Sequence, residues 1–183
     1  PTGVAYTRSG LREIEALIAR VRNGANAQDR TNALGSLGKL AKGTDANKRA
    51  IVAADGIRVL TEVVQNGTEA EKLPALETLG SLAHLLGTRD QDVQRLVAAI
   101  PTIVELVRNG TNSEKTHAAF ALIGIGHIND RRIPDAIVSR HAVSALVLLV
   151  RHGSDIQKRN AVGALANLLN RDSDARLRAA GII

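Results

Sequence analysis

One short string returns along this chain at a fixed interval. "VRNG" ends at Gly24, "VQNG" at Gly67, "VRNG" at Gly110 and "VRHG" at Gly153, each 43 residues after the one before. A period of that length marks an array of supersecondary units, none of which can hide its apolar face without a neighbour. It narrows the fold to a stacked repeat before any helix or strand is assigned.

Aligned on those glycines, the segments 17–24, 60–67, 103–110 and 146–153 place Leu17, Leu60, Ile103 and Leu146 in one column. Val21, Val64, Val107 and Val150 fall in a second column, four residues on. This is the spacing of one buried stripe on a helix. The glycine after it predicts a stop in the left-handed conformation. A second helix starts at once. Thr68 with Glu71, Thr111 with Glu114 and Ser154 with Gln157 have the pattern of capping boxes, in which hydroxyl and N3 side chain satisfy free N–H groups reciprocally. The first segment has Ala25 where the hydroxyl would stand, so Asn26 is its cap, one residue late.

The helices after the corner read 31–41, 74–85, 117–128 and 160–170. Their core columns are Leu37, Leu79, Leu122 and Leu165; Leu40, Leu82, Ile125 and Leu168; and a small-residue column of Ala33, Ala75, Ala118 and Ala161. Gly35, Gly38, Gly80, Gly124, Gly126 and Gly163 lie inside these helices. Each costs about 1 kcal/mol against alanine there. So many of them predict close approach of neighbouring helices. A shorter third stretch precedes each pair: 47–56, 92–100, 134–142 and 174–181. Pro101 then falls in the first turn of a following helix, where its missing N–H does no harm.

Three helices in 42–43 residues, the first short, with a glycine corner between the second and third, resemble the armadillo repeat. The resemblance is strongest in "AAIPTIVELVRNGTNSEKTHAAFALIGI" (98–125) and "HAVSALVLLVRHGSDIQKRNAVGALANLL" (141–169). It covers roughly residues 11–183. HEAT repeats are the nearest rival, but they are usually two-helix units. The resemblance implies an all-α, right-handed α-α superhelix of about four repeats: 1–43 (partial), 44–87, 88–128, 129–170 and the start of another at 171–183. The chain stops at "AAGII", with no polar cap at Ile182 and Ile183. That end predicts a fragment of a longer array or multidomain protein, with weak self-association through uncapped ends.

Armadillo arrays bind extended peptides in a concave groove lined by the third helix of each repeat. Carried onto this chain, the groove columns are Gly35, Glu77, Phe120 and Gly163; Lys39, Ser81, Gly124 and Asn167; and Lys42, His84, His127 and Asn170. One turn upstream stand Asn32, Pro74, His117 and Asn160. The family's nuclear-import adaptors use Trp in the first column and Asn in the second. Here only Asn167 keeps the Asn and no Trp exists, which disfavours import-signal binding. The catenin type takes acidic partners on groove Lys and Arg. Lys39 and Lys42, with a ladder of Lys72, Lys115 and Lys158, fit that use. The partner expected is therefore a protein segment, acidic or mixed in charge, held by a scaffold or adaptor without enzymatic activity.

Charge distribution supports the acidic partner. Residues 1–130 hold 15 basic and 14 acidic side chains, whereas residues 131–183 hold 9 and 4. That basic last third leaves nucleic-acid or phosphate-rich ligand binding as the rival reading, and a targeting or spacer arm of a larger protein as a third. Tyr6 and Phe120 are the only aromatics, so the stacking rings that single-strand binders use are missing, and nucleic acid is disfavoured. With no cysteine and no H-x-x-x-H pair, no metal or cofactor is expected; His84 and His127 read as polar groove lining. No nucleophile elbow, phosphate loop or carboxylate pair is present, and "GIG" at 124–126 is too short for a dinucleotide fingerprint. The sequons at Asn66 and Asn109 are the repeat's own corner. No membrane span or signal peptide is visible, and a cytoplasmic or nuclear location is expected.

Overall fold

A computed structural model of the chain describes residues 8–85, 90–139 and 142–169. Among them are ten α-helices and no strand. The first unit is α1 (Arg8–Asn23) and α2 (Ala27–Lys42). The second is α3 (Asp45–Ala53), α4 (Gly56–Asn66) and α5 (Glu69–Leu82), followed by a 3-10 turn at Ala83–Leu85. The third is α6 (Asp90–Asn109) and α7 (Asn112–Gly126). The fourth is α8 (Arg132–Ser139), α9 (Ala142–His152) and α10 (Asp155–Leu169). The expected short helix at 174–181 and the chain end lie outside the described residues. No single described helix is long and apolar enough to cross a membrane.

Two layers result. The helices after each corner, α2, α5, α7 and α10, pack side by side in that order, and α4, α6 and α9 form a second row behind them. The core lies between the rows. Ala33, Ala75, Ala118 and Ala161 are all 0% exposed, so the small-residue column lets backbones come close. Leu37, Leu79 and Leu122 fill the space beside them, with Leu165 packed at its edge. Each buried leucine contributes about 1.5–3 kcal/mol relative to exposure.

At the corners the chain turns differently from the sequence expectation. None of Gly24, Gly67, Gly110 and Gly153 is left-handed, and Gly67 has φ −75° and ψ 167°, which is extended. Each glycine N–H donates to the carbonyl four residues back, completing the last turn (2.8, 2.7, 3.1 and 2.9 Å). Glycine is required for space: a Cβ would sit 2.5–2.6 Å from that same carbonyl oxygen. At Gly110 and Gly153 it would also lie 2.9 Å from the Cβ of the N3 residue, Glu114 or Gln157. Asn26 caps α2 through its side chain, accepting from Asp29 N–H (2.9 Å). Thr111 with Glu114 and Ser154 with Gln157 close reciprocal boxes.

The third unit also departs from expectation. Residues 92–100 do not form a separate short helix; α6 runs unbroken through Pro101. The second unit shows why. Its break between α3 and α4 is made by Asp55, the only described non-glycine residue with positive φ (65°). Asp tolerates this region better than most residues. The equivalent residue 43 positions on is Ala98, which has no such tolerance, so the helix continues and forgoes the one N–H that Pro101 lacks.

Asp55 also pairs with Arg58 and Arg95, but its side chain is 43% exposed, so these ion pairs add little. Asp55→Ala is therefore expected to cost about 1 kcal/mol in chemical denaturation, from the left-handed backbone. Asp55→Asn keeps that tolerance and should be nearly neutral. Equal losses in both variants would mean that the ion pairs dominate.

Close approach explains most interior glycines. A Cβ on Gly124 would stand 2.1 Å from the Gly80 carbonyl oxygen, with backbone on both sides. Gly35 is the exception, with nothing within 4 Å of its Cβ position. Polar contacts lock the same register. Arg30 Nε donates to Glu71 (2.6 Å), Thr111 Oγ1 to Glu69 (2.8 Å), Arg95 to Asp55 (2.8 Å) and Arg132 to Asp90 (2.6 Å). All four span 40–42 residues, so each joins near-equivalent positions of adjacent units.

Candidate binding face

The row of α2, α5, α7 and α10 presents one surface on which the four columns named from sequence can be placed, apart from Gly124, which is buried against Gly80. Phe120 is half-buried. Its ring lies over Gly80 of the neighbouring unit, where a Cβ would come within 2.8 Å of Cε1. The ring thus fills the space the glycine leaves, and packing is its first role. One unit on, Ile123 fills the equivalent space against Gly163 (3.1 Å).

Charge on this face is mixed. Lys39 is exposed, and Lys42 Nζ lies 2.7 Å from Glu77 Oε1, bridging α2 and α5. Such a partly solvated pair contributes below about 1 kcal/mol and can reopen for a ligand. Exposed Asn32 accepts from Gln28 Nε2 (2.9 Å). The Ser81 hydroxyl donates to the Glu77 carbonyl (3.0 Å), and His117 Nδ1 lies 2.8 Å from the Ser113 carbonyl.

The two asparagines of α10 are turned to a structural use. Asn160 Nδ2 donates to the Thr116 carbonyl (3.1 Å) and Asn167 Nδ2 to the Ile123 carbonyl (2.9 Å), tying α10 to α7. His127 Nδ1 sits 2.9 Å from the same Ile123 oxygen and 3.1 Å from Asn167 Nδ2. The resemblance placed this Asn in the column where the family's import adaptors use Asn. Here one N–H of the amide already holds the preceding unit, and the amide oxygen is left as an acceptor. The His84 side chain and Asn170 lie outside the described residues.

Lys115 and Lys158 stand apart from these columns. Each lies five residues before its groove-column partner, Phe120 or Gly163, which puts it about 140° round the helix. Lys115 lines a hollow with residues of α6 and α9 instead. The residues expected in one groove therefore occupy two surfaces. Helical spacing alone separates them, and that signal was available in the sequence.

No protein-family model matches the chain, and no curated protein matches it. Solved structures do. An engineered protein, 24% identical, aligns with TM-score 0.76 over 92% of this chain and 68% of its own. A designed armadillo repeat protein in complex with the peptide (KR)4, 21% identical, aligns with TM-score 0.75 over 93% of this chain and 71% of its own. A computationally designed armadillo repeat protein for modular peptide recognition, 22% identical, gives the same TM-score and coverage. With its glycine corners in 43-residue register and its third helices stacked in one row, this chain has the fold of the armadillo-type right-handed α-solenoid.

Proposed function

We propose that the chain is a non-enzymatic binding module that holds an extended protein segment, acidic or mixed in charge, across the face of α2, α5, α7 and α10. The supporting observation is the side-by-side packing of those four helices, which brings equivalent residues of successive units into rows. Packed helices lie about 8–10 Å apart, so an extended segment rising about 3.3 Å per residue passes one unit every three residues or so. Polar groups at Lys39, Lys42, Glu77, Ser81, His117 and His127 line that path. A fold neighbour is in complex with (KR)4, which supports a peptide-binding use of this face; the exposed Lys39 and Lys42 favour the opposite charge here. The module acts in the cytoplasm or nucleus, which imaging of a tagged chain checks.

Fluorescence anisotropy with the octapeptides (ES)4, (EK)4 and (KR)4 tests the reading. Binding is expected to weaken in that order. A Lys39→Glu, Lys42→Glu double variant should reverse it, by roughly tenfold at the acidic end. Preference for (KR)4 by the unaltered chain, or an order indifferent to the double variant, contradicts the proposal. A salt titration separates the nucleic-acid reading, since phosphate contacts fall off by several powers of salt concentration.

A further inference from the structure

A hollow lies on the corner edge of the stack at the first and at the last described unit boundary, and its charge differs between the two. Between the first two units it is lined by Arg22, Arg30, Glu62 and Glu71, among others. Between the last two it has a volume of about 420 Å³ and includes Arg108, Lys115, Leu148 and Gln157 in the same positions. The match is residue for residue. Arg30, Lys72, Lys115 and Lys158 are each four residues after their cap residue. Glu71, Glu114 and Gln157 are each three after theirs. Glu62, Glu105 and Leu148 each stand five before their corner glycine.

At the first boundary the cation has its own counter-ion: Arg30 Nε lies 2.6 Å from the buried Glu71 carboxylate, with Glu62 alongside. The middle boundary keeps both acids, Glu105 and Glu114. At the last boundary both are gone. Gln157 stands in place of Glu71 and Glu114, and its Nε2 donates to the Asn112 carbonyl (2.9 Å). Leu148 stands in place of Glu62 and Glu105 and is 58% exposed. His152 stands where the other units have Asn. Among the described residues no Asp or Glu lines this hollow, while Arg108 and Lys115 do. A bare cation beside an exposed leucine is a different surface from its two siblings.

We propose that this hollow is a second binding site, which takes an acidic–apolar protein segment: a carboxylate docks at Lys115 and Arg108, as the counter-ion that Gln157 does not supply, and a neighbouring apolar side chain rests on Leu148. The site is independent of the third-helix face, from which Lys115 is turned by about 140°. Selectivity follows from the repeat itself, since the other two boundaries each carry two acids at the equivalent positions, Glu62 with Glu71 and Glu105 with Glu114.

The decisive variants restore what the sibling boundaries contain. Gln157→Glu keeps the N3 cap, as Glu71 and Glu114 do, and supplies the internal counter-ion. Leu148→Glu supplies the second acid at an exposed position. The probe is the acetylated peptide Ac-GELEELG-NH2, titrated into the isotope-labelled full chain and followed by NMR, with Ac-GQLQQLG-NH2 as its neutral counterpart. Saturable shifts are expected at Lys115, Leu148, His152 and Gln157. The neutral peptide and each variant should bind about tenfold more weakly, with the variants' melting unchanged or improved. Shifts confined to α2, α5 and the Phe120 face would overturn this site while sparing the first. So would unaltered affinity in both variants, no saturation by the acidic probe, or perturbation of Lys115 by oligo-dT but not by the peptide.

Discussion

Replacing Gly124 by alanine is expected to destabilise the chain by about 2 kcal/mol. The added methyl would meet the Gly80 carbonyl at 2.1 Å and the Gly80 Cα at 2.9 Å. Both are backbone atoms in the last turn of α5, so no side chain can rotate away. The two helices must separate, and overpacking of this kind costs about 1–3 kcal/mol, occasionally more. Opposing it is the roughly 1 kcal/mol by which alanine favours a helix over glycine. Backbone contact exceeds that gain. For a chain of this size the loss corresponds to roughly 4–8 °C in Tm. Gly35→Ala supplies the contrast, because the same methyl meets nothing within 4 Å there. It should raise stability by about 0.5–1 kcal/mol. Equal effects at the two positions would mean that α5 and α7 do not approach as described.

The second large effect concerns Glu71, whose side chain is only 5% exposed. Its carboxylate accepts from the Thr68 N–H (2.8 Å), the Thr68 hydroxyl (2.9 Å) and Arg30 Nε (2.6 Å). Burial pushes its pKa up, but the Thr68 donors and Arg30 outweigh it and hold the group below the usual glutamate range. Glu71→Ala removes a helix cap and one partner of an inter-unit pair. Arg30 is one-third exposed and can turn to water, so the cost is the lower end for a half-buried pair, about 2–3 kcal/mol. Glu71→Gln keeps the cap, as Gln157 does at the last corner, and should lose about 1 kcal/mol. The sign with pH follows from the depressed folded pKa. The contribution is whole above the unfolded glutamate value, about 4.3, and fades as pH falls through the lower folded value. The gap between unaltered chain and Gln variant should therefore close below about pH 4. A gap that widens on acidification would contradict the assignment.

Much of this was legible in the sequence for a definite reason. A repeat prints each structural requirement several times, so Ala33, Ala75, Ala118 and Ala161 or the corner glycines identify themselves by column. What single columns could not show is how a requirement is met. The corner glycines avoid a clash with a carbonyl, not a left-handed strain, and the two reasons leave the same letter in the sequence. The continuous α6 was hidden because Pro101 is compatible with both a helix start and a helix interior, while the deciding residue, Ala98, looks unremarkable unless set against Asp55. Of the groove residues, Phe120 and Asn167 were correctly placed on the third helices, yet their partners across the unit boundary needed coordinates. The change from Glu62 and Glu105 to Leu148, and from Glu71 and Glu114 to Gln157, was visible in the aligned repeats. Its consequence emerged only once the Arg30–Glu71 contact showed what the missing acids do.

The stacking of third helices in 43-residue register underlies every claim made for either surface, and the absence of cysteine makes it directly accessible to cross-linking. A Cβ on Gly126 would lie 3.2 Å from the Asn167 Cβ, a few tenths of an ångström below the range of about 3.5–4.5 Å that a disulfide needs, so a small backbone adjustment suffices. The Gly126→Cys, Asn167→Cys chain should oxidise completely to an intramolecular bridge, keep its helicity and melt higher than its reduced form. A Gly126→Cys, Asn160→Cys control, displaced by about two helical turns, should remain reduced. Free thiols or intermolecular cross-links in the first variant, in a chain that is still fully helical, would contradict the stack.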